Sequence, residues 1–146
     1  AKQLALFVVL YSPLQMASDE IENYEANPEP FNFIVSCPTD WSRTVVPEAC
    51  IGSYVTIARC DKGEGYWYIG SITGDEERTA NISLSFLDTD KRYLATIYRD
   101  APEADYETCP AAILIEEREV TYSDTLTIRQ ARSGGTAVRL CPIKDS

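Results

Sequence analysis

Asn81-Ile82-Ser83-Leu84-Ser85-Phe86 alternates polar and apolar side chains without a break. Successive side chains of a strand point to opposite faces, so Ile82, Leu84 and Phe86 share one face and Asn81, Ser83 and Ser85 the other. That is the pattern of a half-buried antiparallel strand, and the segments around it read alike. Upstream, Tyr54-Val55-Thr56-Ile57-Ala58-Arg59 and Tyr66 to Thr73 are rich in β-branched and aromatic residues, with Gly63 and Gly65 marking a turn between them and Gly74-Asp75 closing the second. Downstream come Arg92 to Arg99, a polar stretch around Pro102 to Pro110, and Ala112 to Glu117. Leu126 and Ile128 then alternate with Thr125, Thr127 and Arg129, and Gly134-Gly135 turns the chain into Val138 and Leu140. About seven or eight short strands at near-regular spacing predict a mainly β domain, an antiparallel β-sandwich or barrel.

Before residue 42 the chain has a different character. Lys2 to Leu10 fits a buried helix or a core strand, and Pro13 ends it. Ser18, Asp19 and Glu20 look like a helix start, with acidic side chains at the positive end of the dipole. That helix runs through Ile21 and Tyr24 and stops before Pro28; Pro30 opens a third, through Phe31 and Ile34, ending by Pro38. The stretch Leu4 to Leu10 is apolar all round, so a helix made of it must be covered on every side. A small β domain covers one face. The segment is therefore expected to belong to a larger core, and the chain opens at Ala1 in the middle of it, as a piece of a larger protein would. Left to itself, it is expected to pack on the β domain, pair with another copy or stay disordered. Self-association through the stretch from Ala1 to Met16 is the specific expectation.

The 146 residues suit one ordinary domain, and 45% hydrophobic with 25% charged residues are globular values. The net charge of −10, from 23 acidic and 13 basic residues, repels phosphate backbones and anionic lipid, so nucleic acid is not an expected partner. The apolar run Leu4 to Leu10 is far short of the roughly 20 residues that span a bilayer, and it lacks the flanks of a signal peptide. Histidine is absent, which excludes Ser-His-Asp and Cys-His nucleophilic systems and His-containing zinc sites within the chain. The five cysteines, Cys37, Cys50, Cys60, Cys109 and Cys141, form no C-x-x-C pair. Their odd number leaves at least one thiol without an intrachain partner, and most are expected to be small buried apolar groups.

Tyr66-Trp67-Tyr68 is a candidate sugar-binding strip, because aromatic faces stack on the apolar faces of sugars. Side chains alternate along a strand, however, and Trp67 falls on the same side as Ile69, which favours a core role for it. The acidic residues read as solvated surface. Asp19, Glu20 and Glu22 sit at a helix start, and Glu116, Glu117 and Glu119 on or beside a strand. Asp100, Glu103, Asp105 and Glu107 lie in a loop that lacks the spacing of a dedicated cation loop. Asn81-Ile82-Ser83 matches a glycosylation sequon, but Ile82 reads as core. Trp41 stands where helical character gives way to β, and Lys62, Lys91 and Lys144 form no phosphate or Schiff-base pattern.

Ser12-Pro13-Leu14-Gln15-Met16-Ala17-Ser18-Asp19, followed by Tyr24, resembles the end of the catalytic barrel in glycoside hydrolase family 97. The resemblance continues through Phe31-Asn32-Phe33-Ile34, Pro38-Thr39-Asp40-Trp41 and Thr44, then Gly52 to Arg59 and Trp67 to Thr73. Leu84 to Leu87, Tyr93, Ile97 to Asp100 and Gly134-Gly135 echo it more weakly. It spans nearly the whole chain in a consistent order. It implies an α-glucosidase or α-galactosidase parent with an upstream β-sandwich and a (β/α)8 barrel, exported to a bacterial periplasm or cell surface. Residues 1–41 would then be the terminal segment of the barrel plus linker helices, and residues 42–146 a C-terminal all-β accessory domain. The family's catalytic carboxylates and its calcium ligands would lie outside this chain, and no position here matches them. The reading is a non-catalytic accessory domain that covers the barrel of its own parent and contributes to oligomerisation. The alternative is a carbohydrate-binding module using Tyr66, Trp67 and Tyr68. An autonomous hydrolase lacks a catalytic constellation.

Overall fold

The computed structural model describes residues 1–144; residues 145 and 146, the last two of the domain expected over 42–146, lie outside the described residues. Three helices come first, α1 (Lys2–Val9), α2 (Ile21–Ala26) and α3 (Pro28–Ser36). Eight strands follow: β1 (Arg43–Cys50), β2 (Tyr54–Cys60), β3 (Trp67–Thr73), β4 (Arg78–Ser83), β5 (Tyr93–Asp100), β6 (Ile113–Val120), β7 (Thr125–Gln130) and β8 (Gly135–Pro142). Every strand pair is antiparallel. A six-stranded sheet in the order β1-β2-β3-β8-β5-β6 faces a two-stranded sheet of β4 and β7, so the fold is a β-sandwich and not a closed barrel.

The core between the sheets holds Trp67, Ile69, Ile97, Val138 and Leu140 from the large sheet, with Ile82, Leu126 and Ile128 from the small one. Leu84 and Phe86 belong to it as well, but β4 ends at Ser83. The predicted alternation of burial therefore runs on through a turn, with Asn81, Ser83 and Ser85 exposed and Ile82, Leu84 and Phe86 inside. Burying each such side chain is worth roughly 1.5–3 kcal/mol.

The other face of the six-stranded sheet is covered by helices. Leu4, Ala5 and Val8 of α1 and Phe33 of α3 pack there with Tyr68, Tyr98 and Ala137. A sheet covered on both faces has no polar side to show, and β3 is buried at nearly every position. The approach of α1 is close enough to require glycine beneath it. A Cβ at Gly70 would collide with the Ala5 carbonyl and stand 2.9 Å from the Val8 Cβ. The fold thus docks α1 on the β domain, one of the three outcomes expected for this segment, and leaves Leu10, Tyr11, Leu14 and Met16 exposed beyond it.

Sequence reading missed β1. Pro47 lies inside it, and the register shifts between Val45 and Glu48. Proline cannot donate to a ladder, which argues against a central strand, but β1 is an edge strand where the missing donor costs little. The turn expected at Gly134-Gly135 is centred earlier, and its positive φ of 54° falls on Ser133. All five cysteines are free, but they are less buried than expected: Cys50 is exposed and the other four are half-buried.

Gly70→Val should cost about 1–3 kcal/mol, the usual range for overpacking a filled site. Urea denaturation measures it, and an unchanged midpoint would show that α1 is not seated on β3 as described.

Candidate interaction surface

Arg59 of β2 fixes where α1 stops. Its Nε donates to the Val8 carbonyl at 2.7 Å and its Nη2 to the Val9 carbonyl at 3.4 Å, while Nη1 donates to Thr44 Oγ1 at 3.0 Å. The last carbonyls of a helix have no partner inside it, and a cation there complements the dipole. Tyr11, just past the helix, lies over the same guanidinium, 5.6 Å from ring centroid to Cζ. The chain then leaves the sheet. Leu10, Tyr11, Leu14 and Met16 are 58%, 61%, 72% and 77% exposed, and Ser12 holds only a local turn through the Leu14 backbone.

The helices that follow are anchored at one end of their sequence. α2 buries no residue and rests on α3 through a stacked Tyr24–Phe31 pair at 4.6 Å. Asp19 shapes its start by accepting from the Asn23 side chain and the Glu20 backbone, which hold the Asp19 carboxyl below its usual range. α3 is fixed by Phe33, which meets Tyr68 and Tyr98 edge to face, and by the Tyr68 hydroxyl, which donates to the Ser36 carbonyl at 2.8 Å. Ile21 and Val35 remain outside. From Leu10 to Val35 the chain thus exposes six large apolar side chains, Leu10, Tyr11, Leu14, Met16, Ile21 and Val35, on a segment tied to the sheet at both ends. Scattered single apolar residues need no explanation; a run of this kind marks a docking surface.

The aromatic strip is divided between the two cores. Trp67 is 4% exposed and packs against Phe86 at 4.7 Å in the sandwich, with Arg43 over its ring. Tyr68, 2% exposed, faces the helices, where Trp41 meets it edge to face at 5.6 Å. Burial pushes the Tyr68 hydroxyl up to about 12. Tyr66 precedes β3 and packs half-buried against the helix-side core, so of the three it is the least covered.

Several carboxylates hold structural contacts, some buried and some at the surface. Asp100, 5% exposed, accepts from the backbone N–H groups of Ala131 and Gly135 at 3.0 and 2.9 Å, fastening the β7–β8 turn to β5. Glu48 receives Arg78 at 2.9 Å and Thr56 at 3.0 Å. Asp105 pairs with Arg132 and caps its own turn through the Glu107 and Thr108 backbone, which lowers its carboxyl. Glu116 pairs with Arg99, and Glu117 accepts from Thr96. Among the described residues, no three carboxylates or thiols converge as metal ligands.

The model of a family described as glycosyl-hydrolase 97 C-terminal, oligomerisation, matches residues 40–141. A retaining alpha-galactosidase of Bacteroides thetaiotaomicron is 35% identical over 144 residues, covering 95% of this chain and 20% of that protein. A glycoside hydrolase family 97 enzyme from Pseudoalteromonas sp. strain K8, solved with acarbose, superposes with a TM-score of 0.95 at 44% identity, over 99% of this chain and 22% of the other. A variant of that enzyme solved with panose matches equally well, at 45% identity and the same coverage. The chain therefore spans about a fifth of the length of these relatives.

Two outcomes follow from the burial described. The Trp67 indole N–H should keep its NMR position as maltose or galactose is raised to tens of millimolar, above the usual KM range; a saturable shift would make the strip a sugar site. Burial pushes the Cys37 thiol up to about 12, so at pH 8 it stays protonated and covered, whereas Cys50 is exposed to the reagent. Iodoacetamide mapped by mass spectrometry should therefore label Cys50 well before Cys37.

Proposed function

The chain belongs to the C-terminal, oligomerisation domains of glycoside hydrolase family 97, and on that footing we propose that its work is assembly, carried out against a catalytic barrel that it covers. The observation that carries the proposal is the set of six exposed apolar side chains between Leu10 and Val35, on a segment held at both ends. In this reading residues 1–41 complete the barrel and residues 42–146 form the accessory domain, whose first strand begins at Arg43. Each apolar side chain covered by the barrel would contribute roughly 1.5–3 kcal/mol, enough for a handful of them to hold the domain in place.

The parent would hydrolyse α-linked sugars. An α-galactosidase among the relatives, and a solved relative holding acarbose or panose, together support α-glycosides as the substrate class. Its acid, its nucleophile or base, and any calcium would belong to the barrel. Hydrolysis of a glycosidic bond needs two carboxylates flanking it, about 5–9.5 Å apart, with room for the sugar between them. In this chain Asp100 and Glu48 are already committed to backbone and side-chain donors.

Adding the purified chain to a family 97 catalytic region that lacks its own C-terminal domain should give a stable complex by size-exclusion chromatography. Leu14→Ser with Met16→Ser should weaken that complex by about a hundredfold or more, since each change removes about 1.5–3 kcal/mol of buried contact. Turnover of p-nitrophenyl α-glucoside or α-galactoside by the chain alone would overturn the proposal.

A further inference from the structure

A second apolar surface lies away from the Leu10–Val35 run. The β1–β2 hairpin closes through Ile51-Gly52-Ser53, with the Ser53 N–H donating to the Cys50 carbonyl at 2.9 Å. Gly52 takes φ +80°, a conformation open to glycine, and the turn it makes throws Ile51 outward. Ile51 is 105% exposed: it touches nothing in its own fold beyond its immediate neighbours. It stands at the edge of a groove of about 460 Å³ that it lines together with Ala49, Tyr54, Val55, Ile72 and Thr73, with Lys2 also in the lining.

Three features select the occupant. The lining of the groove contains no carboxylate, although the chain carries a net charge of −10. Two copies repel over most of their surface, and a patch bearing one lysine and no acid is where they approach at least cost. The acidic residues Asp75, Glu76 and Glu77 line an adjoining depression that shares Gly52, Ser53, Tyr54 and Thr73 with the groove, which puts them at the rim, where an interface tolerates charge. Next, projecting side chain and groove belong to one patch. A two-fold interface uses the same surface on both subunits, so it needs both halves of the fit in one place. Finally, the patch is distinct from the exposed apolar side chains between Leu10 and Val35. Lys2 opens α1 and Leu10 follows its end, and eight helical residues put about 12 Å between them.

We propose that this patch is a two-fold interface for a second copy of the chain, each Ile51 seated in the other's groove. The proposal rests on the assembly reading above and adds the partner and the side chains. Cys50, exposed beside Ile51, falls near the axis of such a dimer.

Sedimentation velocity across protein concentration tests it. The 146-residue chain should dimerise reversibly. Ile51→Asp should weaken the dimer by about 100-fold, roughly tenfold for each of the two pockets emptied. Its circular dichroism and urea midpoint should stay unchanged, because Ile51 has no contact to lose in the monomer. In mixed samples of labelled and unlabelled chain, isotope-filtered NOEs should join the Ile51 methyls of one copy to Val55 and Ile72 of the other. Leu14→Ser with Met16→Ser should leave the dimer intact. A chain that stays monomeric up to about 1 mM, or a dimer that survives Ile51→Asp, overturns the interface. Either result is read separately from complex formation with the catalytic region, whose loss would count against the accessory role itself.

Discussion

The docking of α1 on the six-stranded sheet depends on two features of neighbouring strands: Gly70 of β3 leaves room for the helix backbone, and Arg59 of β2 receives its last carbonyls. Without that room the helix would stand off the sheet, and Tyr68, Tyr98 and Ala137 would face water. Without the guanidinium, the Val8 and Val9 carbonyls would be left to solvent in a half-buried place. The two act together, since one sets the distance of the helix and the other its end. The exposure of Leu10 to Met16 follows directly, because the chain must leave the sheet where Arg59 stops the helix.

The opposite face is secured by polar groups as well as by packing. Gln130 of β7 donates to Ser71 of β3 at 2.8 Å, and Ser71 shares a 2.7 Å hydrogen bond with Thr56 of β2. Thr56 reaches Glu48, which holds Arg78 of β4, itself 3.6 Å from the Tyr54 ring. This chain of contacts links five strands across the gap between the sheets. Buried polar groups that are fully paired make one register the favoured one, because any slip leaves them without partners. Together with Asp100 at the β7–β8 turn, they ensure that β4 and β7 are fixed against the large sheet by more than shape.

A domain built this way separates two kinds of surface. The helix side ends in a tethered apolar run, and the hairpin end of the large sheet carries a carboxylate-free patch around Ile51. On the two proposals above, their placement at opposite ends of α1 would leave room for two partners at once. The edges of the sheet oppose unplanned pairing. Pro47 and a register shift interrupt β1, and β6 carries Glu116, Glu117, Arg118 and Glu119.

By itself the sequence determined the β class, the three preceding helices, the inward set Ile82, Leu84 and Phe86, and the likeness to family 97. Those are local properties: alternation, turn residues and motif order are all written within a few residues of each other. It left β1 illegible, since Pro47 speaks against a strand until the strand is known to be an edge. It also left the Tyr66-Trp67-Tyr68 strip ambiguous, because alternation shows that neighbours face opposite ways but not whether both faces are covered. Tertiary structure alone decided that the six-stranded sheet has helices on one side and a second sheet on the other, which put Trp67 and Tyr68 in different cores. Only tertiary structure, too, brought Arg59 to the end of a helix some fifty residues earlier in the chain and aimed Ile51 away from every core. Burial and long-range pairing depend on what lies across the fold, and no window of sequence contains that.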